Sequence, residues 1–229
     1  MLKLRLTAAL VATAILSSTP LAAQFEGTID MTIGSKAEQK MTQSYKGTHV
    51  RTDMHAGGGQ MTMLMEAGVP EMTMIMAEHK MYMKMSMKDL AAQAGKGDAK
   101  PPRITDTGKT ETIAGKTCSV YRMATDEGKP ENVEICAAKG MGFFAMGQAN
   151  GPMAGKNPYA GAFAAAGNPE YAKLFKDGFF PLRVSDLTKG KPETVVQVTA
   201  ITPKSIPDAA FQIPAGYTEM KMPGMPKRN

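Results

Sequence analysis

The chain has 229 residues with 43% hydrophobic and 6% aromatic content, two cysteines, 21 methionines, no tryptophan and a formal net charge of +6. That length supports one domain with a sizeable core, or two small ones. The 27 basic residues form no cluster and no aromatic residues interleave with them, so the charge does not mark a nucleic-acid or membrane surface.

At the start, Lys3 and Arg5 precede an apolar run from Leu6 to Leu16, and small residues follow as far as Ala22 and Ala23. This is the order of a secretory signal peptide. Residues 1–23 are therefore expected to be removed after Ala23, leaving 24–229 as a single exported domain, periplasmic or secreted. The apolar run is too short to span a bilayer, and no Cys follows the cleavage point to take a lipid anchor. Loss of Lys3 and Arg5 leaves 25 basic residues against 21 acidic ones, a charge of +4.

From Gln24 the chain alternates, with Phe25, Gly27, Ile29, Met31 and Ile33 on one face and Glu26, Thr28, Asp30 and Thr32 on the other, as in a half-buried strand. EQKMTQSYKGTHVRTDM continues with two short strands pivoting at Lys46-Gly47, and the glycines of AGGGQ then interrupt the pattern. Short strands joined by turns argue for an antiparallel meander.

The stretch Met61–Met87, MTMLMEAGVPEMTMIMAEHKMYMKMSM, has methionine at ten of its 27 positions, mostly at every second residue. That spacing would scatter the side chains round a helix but puts them on one side of a strand. A two-residue turn at Gly68-Val69, with Gly first as a type II′ hairpin prefers, pairs Met65 with Met72, Met63 with Met74 and Met61 with Met76. A turn centred on Glu78-His79 pairs Met76 with Met81, Met74 with Met83 and Met72 with Met85. Nine methionines then form a three-by-three grid on one face. The opposite face, with Thr62, Leu64, Thr73, Ile75, Tyr82, Lys84 and Ser86, is mixed and can face water.

Further on, residues 88–94 suit a short helix and KGDAKPP a linker; RITDTGKTETIAG and KTCSVYRM resume the strands. Asp126–Lys129 is a turn signal, and centring it on Glu127 sets Cys118 directly opposite Cys136. In an exported protein such a pair is read as a disulfide, worth about 3 kcal/mol by loop closure. Residues 140–178 are rich in Gly and Ala and read as an insertion or lid ending in a short helix that opens on Asn168-Pro169. FFPLRVSDL and PETVVQVTAIT add two strands. The prolines of the closing segment prevent long regular structure, and 218–229 reads as a flexible tail. The sum is nine to eleven strands, two short helices and no parallel crossover.

Left in water, nine methionines would forfeit on the order of 10 kcal/mol, at roughly 1.5 to 3 for each one buried, so something must cover the grid. Three covers suit it: the protein's own helix or sheet, an apolar ligand such as an acyl chain, for which adaptable Met makes a good lining, or a soft metal, since thioethers bind Cu(I). Catalytic chemistry has no comparable signal. His49, His55 and His79 are scattered without zinc spacing, Gly57–Gly59 lack the Lys of a phosphate loop, and there is no nucleophile elbow.

ETIAGKTCSVYR, MIMAEHKMYMKM, GFFPLRV and PDAAFQIPAGYTEM, in that combination, resemble a bacterial exported family termed domain of unknown function 4412, over most of the mature length. The resemblance implies a fold similar to the lipoprotein carriers and receptors of the bacterial envelope, an unclosed antiparallel barrel with helices over its concave face. It implies no catalytic residues.

The sequence reading is thus a mainly β protein with minor α, a curved antiparallel sheet or half-barrel with one or two short helices over its concave face. Its expected role is non-catalytic: Met61, Met63, Met65, Met72, Met74, Met76, Met81, Met83 and Met85 line a wall for an apolar ligand, a lipid or lipidated chain. No cofactor, resident metal, nucleic acid or membrane span is expected, and an envelope protein is the other candidate partner. A Met-rich Cu(I)-binding or redox-protection protein is the alternative, and a ligand-free structural or interaction module the third.

Overall fold

A computed structural model of the chain describes residues 25–36, 39–56, 59–66, 69–86, 103–124, 130–141 and 180–220. Within them the chain forms β1 (Gly27–Ile33), β2 (Gln39–Lys46), β3 (His49–Ala56), β4 (Gly59–Glu66), β5 (Glu71–Met76), β6 (Met81–Ser86), β7 (Arg103–Ile113), β8 (Lys116–Ala124), β9 (Val133–Ala138), β10 (Phe180–Asp186), β11 (Glu193–Pro203) and β12 (Thr218–Glu219). All twelve belong to one sheet, ordered β12-β6-β5-β4-β3-β2-β1-β11-β10-β9-β8-β7. Consecutive antiparallel pairing builds β1–β6 as one meander and β7–β11 as a second. The pairing of β1 with β11 joins them, and the sheet does not close into a barrel.

The strand total exceeds the nine to eleven expected. One strand without a sequence signal is β12, two residues held in parallel register against β6, Thr218 to Met81 and Glu219 to Tyr82. Helical structure among the described residues is limited to two 3-10 turns, Ala77–His79 and Asp208–Phe211. The helices expected at 88–94 and 168–178, the signal peptide, Gly68 of the first methionine turn and nearly all of the 140–178 insertion lie outside the described residues.

Residues directly opposite in a ladder share a face, so the register defines a front face of β1–β6 bearing the methionines, and a back face. The front face curves inward. Tyr45 of β2 and Phe180 of β10 have two strands between them, roughly 14 Å along a flat sheet, yet their ring centroids are 6.2 Å apart. Phe25 adds a second edge-to-face contact on Tyr45 at 6.0 Å. These rings close over Gly27, where the backbone (φ +151°) leaves no room for a side chain: an added Cβ would lie 2.3 Å from the Thr202 carbonyl oxygen. The largest buried cluster draws on both meanders, with Ile29, Met31, Met41, Tyr45 and Val50 from one and Val120, Phe180 and Leu182 from the other.

After β11 the chain runs as a strap across the back face. Lys46 of β2 donates to the Ile206 carbonyl and to Asp208, Arg51 of β3 donates to the Ala210 carbonyl, and Thr218 N–H bonds the Lys80 carbonyl just before β6. The back face of β4–β5, whose mixed composition could face water, is partly covered. Thr62, Leu64 and Ile75 are buried.

The two cysteines form the expected disulfide but not at the expected register. Ser119 pairs with Ala137 and Val120 with Cys136, so Cys118 stands diagonally from Cys136, displaced by two residues. The Cα–Cα distance is 5.4 Å, within disulfide range. The turn that would have set the register, 125–129, lies outside the described residues; the ladder is centred one residue later than Glu127, and that one-residue difference moves the whole pairing by two positions.

Candidate functional site

Each of the six methionine pairings drawn from the hairpin arithmetic is present: Met61–Met76, Met63–Met74 and Met65–Met72 between β4 and β5, and Met76–Met81, Met74–Met83 and Met72–Met85 between β5 and β6. Alternation fixes the face, and the turn at Ala77–Lys80, closed by Lys80 in the left-handed region (φ 49°), fixes the second register. Met63, Met72, Met74 and Met85 are buried, and the other five grid positions are half-buried.

The same face extends further than the sequence block. Met61 stands opposite Met54, Met54 beside it opposite Met41, and Met41 opposite Met31. One row across β1–β6 therefore reads Met31, Met41, Met54, Met61, Met76, Met81. The next row reads Ile29, Gln43, Thr52, Met63, Met74, Met83, and the third Gly27, Tyr45, Val50, Met65, Met72, Met85. Met31, Met41 and Met54 were missed because each is the single methionine on its strand's front face. Only the turn at Gly47 (φ +55°) and the β1–β2 ladder bring them into line.

Two polar side chains interrupt the middle row, and both are fully buried. Gln43 Nε2 donates to Thr52 Oγ1 at 3.3 Å, and the Tyr45 hydroxyl donates to Gln43 Oε1 at 2.5 Å. Burial pushes the Tyr45 phenol well above its ordinary pKa, so it is neutral and available as a donor. The front face thus passes from an aromatic and hydrogen-bonded patch on β2–β3 to an all-thioether surface on β4–β6.

On the back face, Arg51 clamps Asp53 through Nε and Nη2 at 2.7 and 2.8 Å and also reaches the Ala210 carbonyl and Thr62 Oγ1, while Thr62 donates to Asp53 at 2.6 Å. This network pins the strap to β3 and β4. Beside it an open cleft of about 340 Å³ is bounded by His49, Glu66, Thr73 and Lys84 from the sheet and by Phe211 and Ile213 from the strap. His49 packs against Phe211 with ring centroids 5.6 Å apart. In the second meander Arg183 bridges Glu111 and Glu134, which also pairs with Arg122. The hydrogen bonds from Arg183 hold the Glu111 carboxyl below its usual range. These ion pairs tie β7, β8, β9 and β10 together.

His49, His55 and His79 sit on β3, near the end of β3 and in the Ala77–His79 turn. Among the described residues no group of three His, Cys, Asp or Glu side chains is placed to hold a metal ion. No described helix is long and apolar enough to cross a membrane.

A family model described as a domain of unknown function, DUF4412, matches residues 25–217, which takes in the methionine face, the disulfide and the strap. No curated protein matches the chain.

Proposed function

The chain belongs to the DUF4412 family, a domain of unknown function, and we propose that it is a non-catalytic, exported protein that binds or carries an apolar ligand, a lipid or a lipidated chain, against its methionine face. The observation that carries this reading is the three-by-three grid on β4–β6, nine unbranched side chains on adjacent strands with five of them half-buried. A face required only to pack would be served better by β-branched and aromatic residues, which suit a pleated surface. None occurs at these nine positions. Methionine, with three rotatable bonds and a polarizable sulfur, is the side chain that repacks round guests of irregular shape. The inward curve of the sheet at Tyr45 and Phe180 and the open sheet edges suit a trough of the kind a carrier uses, and the lipoprotein-carrier likeness read from the sequence points the same way.

The test is to isolate the mature protein gently and examine it by native mass spectrometry, then strip it with solvent and titrate it with a fluorescent fatty acid. Carriage requires a co-purifying apolar species or saturable probe binding that unlabelled lipid displaces. A protein that carries nothing and binds the probe no better than an unrelated β protein sinks the reading.

A further inference from the structure

The row of methionines at the Ala77–Lys80 end differs from the other two. All six of its positions, one on each of β1–β6, are methionine. The neighbouring rows take Ile29, Gln43 and Thr52, or Gly27, Tyr45 and Val50, on the same first three strands. Packing alone does not ask for one side chain six times over, because any apolar residue of similar volume satisfies it. What the six share and the substitutes lack is sulfur.

Exposure divides the row. Met31 and Met41 are buried at the sheet centre. Met54, Met61, Met76 and Met81 are all half-buried, on four adjacent strands. Met54 and Met61 lean on the buried cluster of Met63, Met72, Met74 and Met85, whereas Met76 and Met81 are not among the described residues packed against it. Met76 and Met81, half-buried near the strand ends, are thus only partly committed to the core.

We propose that Met54, Met61, Met76 and Met81 form a Cu(I) site. Opposed residues of an antiparallel pair have Cα atoms about 4.5 to 5.5 Å apart, and each methionine has three rotatable bonds with which to turn its sulfur. Three thioethers on adjacent strands, Met61 and Met76 with either Met54 or Met81, lie close enough to converge on one ion, whereas Met54 and Met81 stand about three strand spacings apart and serve it in alternation. The donor set is soft, neutral and apolar. It takes Cu(I), and Ag(I) as its analogue, and leaves Zn(II) and Cu(II), which favour nitrogen or charged ligands, in solution. Met63 and Met74 alongside, both buried, keep water from one flank of the ion, while half-exposure gives it an entry path. This site does not depend on the apolar ligand proposed above, since its donors lie at the rim of the wall.

The experiment is an anaerobic titration of the mature protein with Cu(I) in competition with a chromogenic Cu(I) chelator, with Zn(II) as control. It is repeated on Met61→Leu/Met76→Leu and on Met63→Leu/Met74→Leu, the same change made one row away. Leucine is near in volume to methionine, so both variants should keep a cooperative unfolding transition. The expected result is one Cu(I) retained per chain, no Zn(II), and affinity lowered about 100-fold in the rim variant, the upper end of what even a supporting residue removes from a metal site, with the middle-row variant unchanged. Failure of the protein to hold Cu(I) against the chelator overturns the proposal, as does equal affinity in the rim variant or equal loss in both. Fatty-acid probe binding followed in the same samples reports separately on carriage.

Discussion

Replacing Arg51 by Met should loosen the strap, and the structure sets how much. The guanidinium makes two bonds to Asp53 and one each to Ala210 and Thr62. Without it the Asp53 carboxylate, 16% exposed, keeps only the Thr62 hydroxyl, and the Ala210 carbonyl loses its donor. Breaking a fully buried ion pair costs about 3 to 5 kcal/mol. The Arg51 side chain is 25% exposed, so screening brings the expected loss to about 2 to 3 kcal/mol. Removing the stranded charge as well, in Arg51→Met/Asp53→Leu, should recover much of it and leave a deficit near 1 kcal/mol for the strap tether. Urea unfolding of the two single variants and the double variant completes a cycle. Hydrogen exchange should show faster exchange at Thr218 and Met220, whose amides bond the carbonyls of Lys80 and Tyr82. A loss below 1 kcal/mol for Arg51→Met, or a double variant no better than the worse single one, would refute the account of the strap as electrostatically pinned.

Reduction of the Cys118–Cys136 bridge, or its replacement by two alanines, should cost about 3 kcal/mol for a loop of this separation, 18 residues; a midpoint in urea unmoved by reductant would show that the ladder alone holds β8 to β9. Tyr45 gives a test in alkali. Its pKa is raised by burial in the folded state, so its contribution is fully present below about pH 10, the unfolded value, and is lost as pH rises through the folded value. Above pH 10 the protein should therefore lose up to about 1.4 kcal/mol per pH unit from this one group. In Tyr45→Phe that part of the alkaline slope should vanish, while stability at pH 7 falls by about 1 to 3 kcal/mol because Gln43 loses its donor. Parallel pH profiles for the two proteins would contradict the assignment.

What was legible in the sequence was local. The grid could be read because its methionines recur at period two on strands joined by short turns, where a few residues fix register. The disulfide could be read as a pair but not as a geometry, since the 125–129 turn offers no single strong signal and a small error in its centre turns a diagonal into a direct pairing. The full methionine row was not legible because β1, β2 and β3 each contribute one member, and a single methionine carries no period. The strap was invisible for a related reason. Leu64 looks like a stray apolar residue on a mixed face until Phe211 and Ile213, far along the chain, are brought beside it. Pairings such as β12 with β6 leave no mark on the sequence near either partner, because the hydrogen bonds are made by backbone that every residue has.

The seam between the meanders has a consequence for how the chain is made. Each meander pairs neighbours in sequence and can form by itself, but β1, the first strand, has β11 as its second partner; the Thr32–Gln197 contact across that seam spans 165 residues. A chain still being synthesised therefore holds a first strand with one edge vacant until nearly all of the protein has appeared. Closing so long a loop is the slow step of such a topology. The last long strand to emerge is the one that completes the centre of the sheet, so the fold assembles from its flanks inward and cannot lock before it is whole.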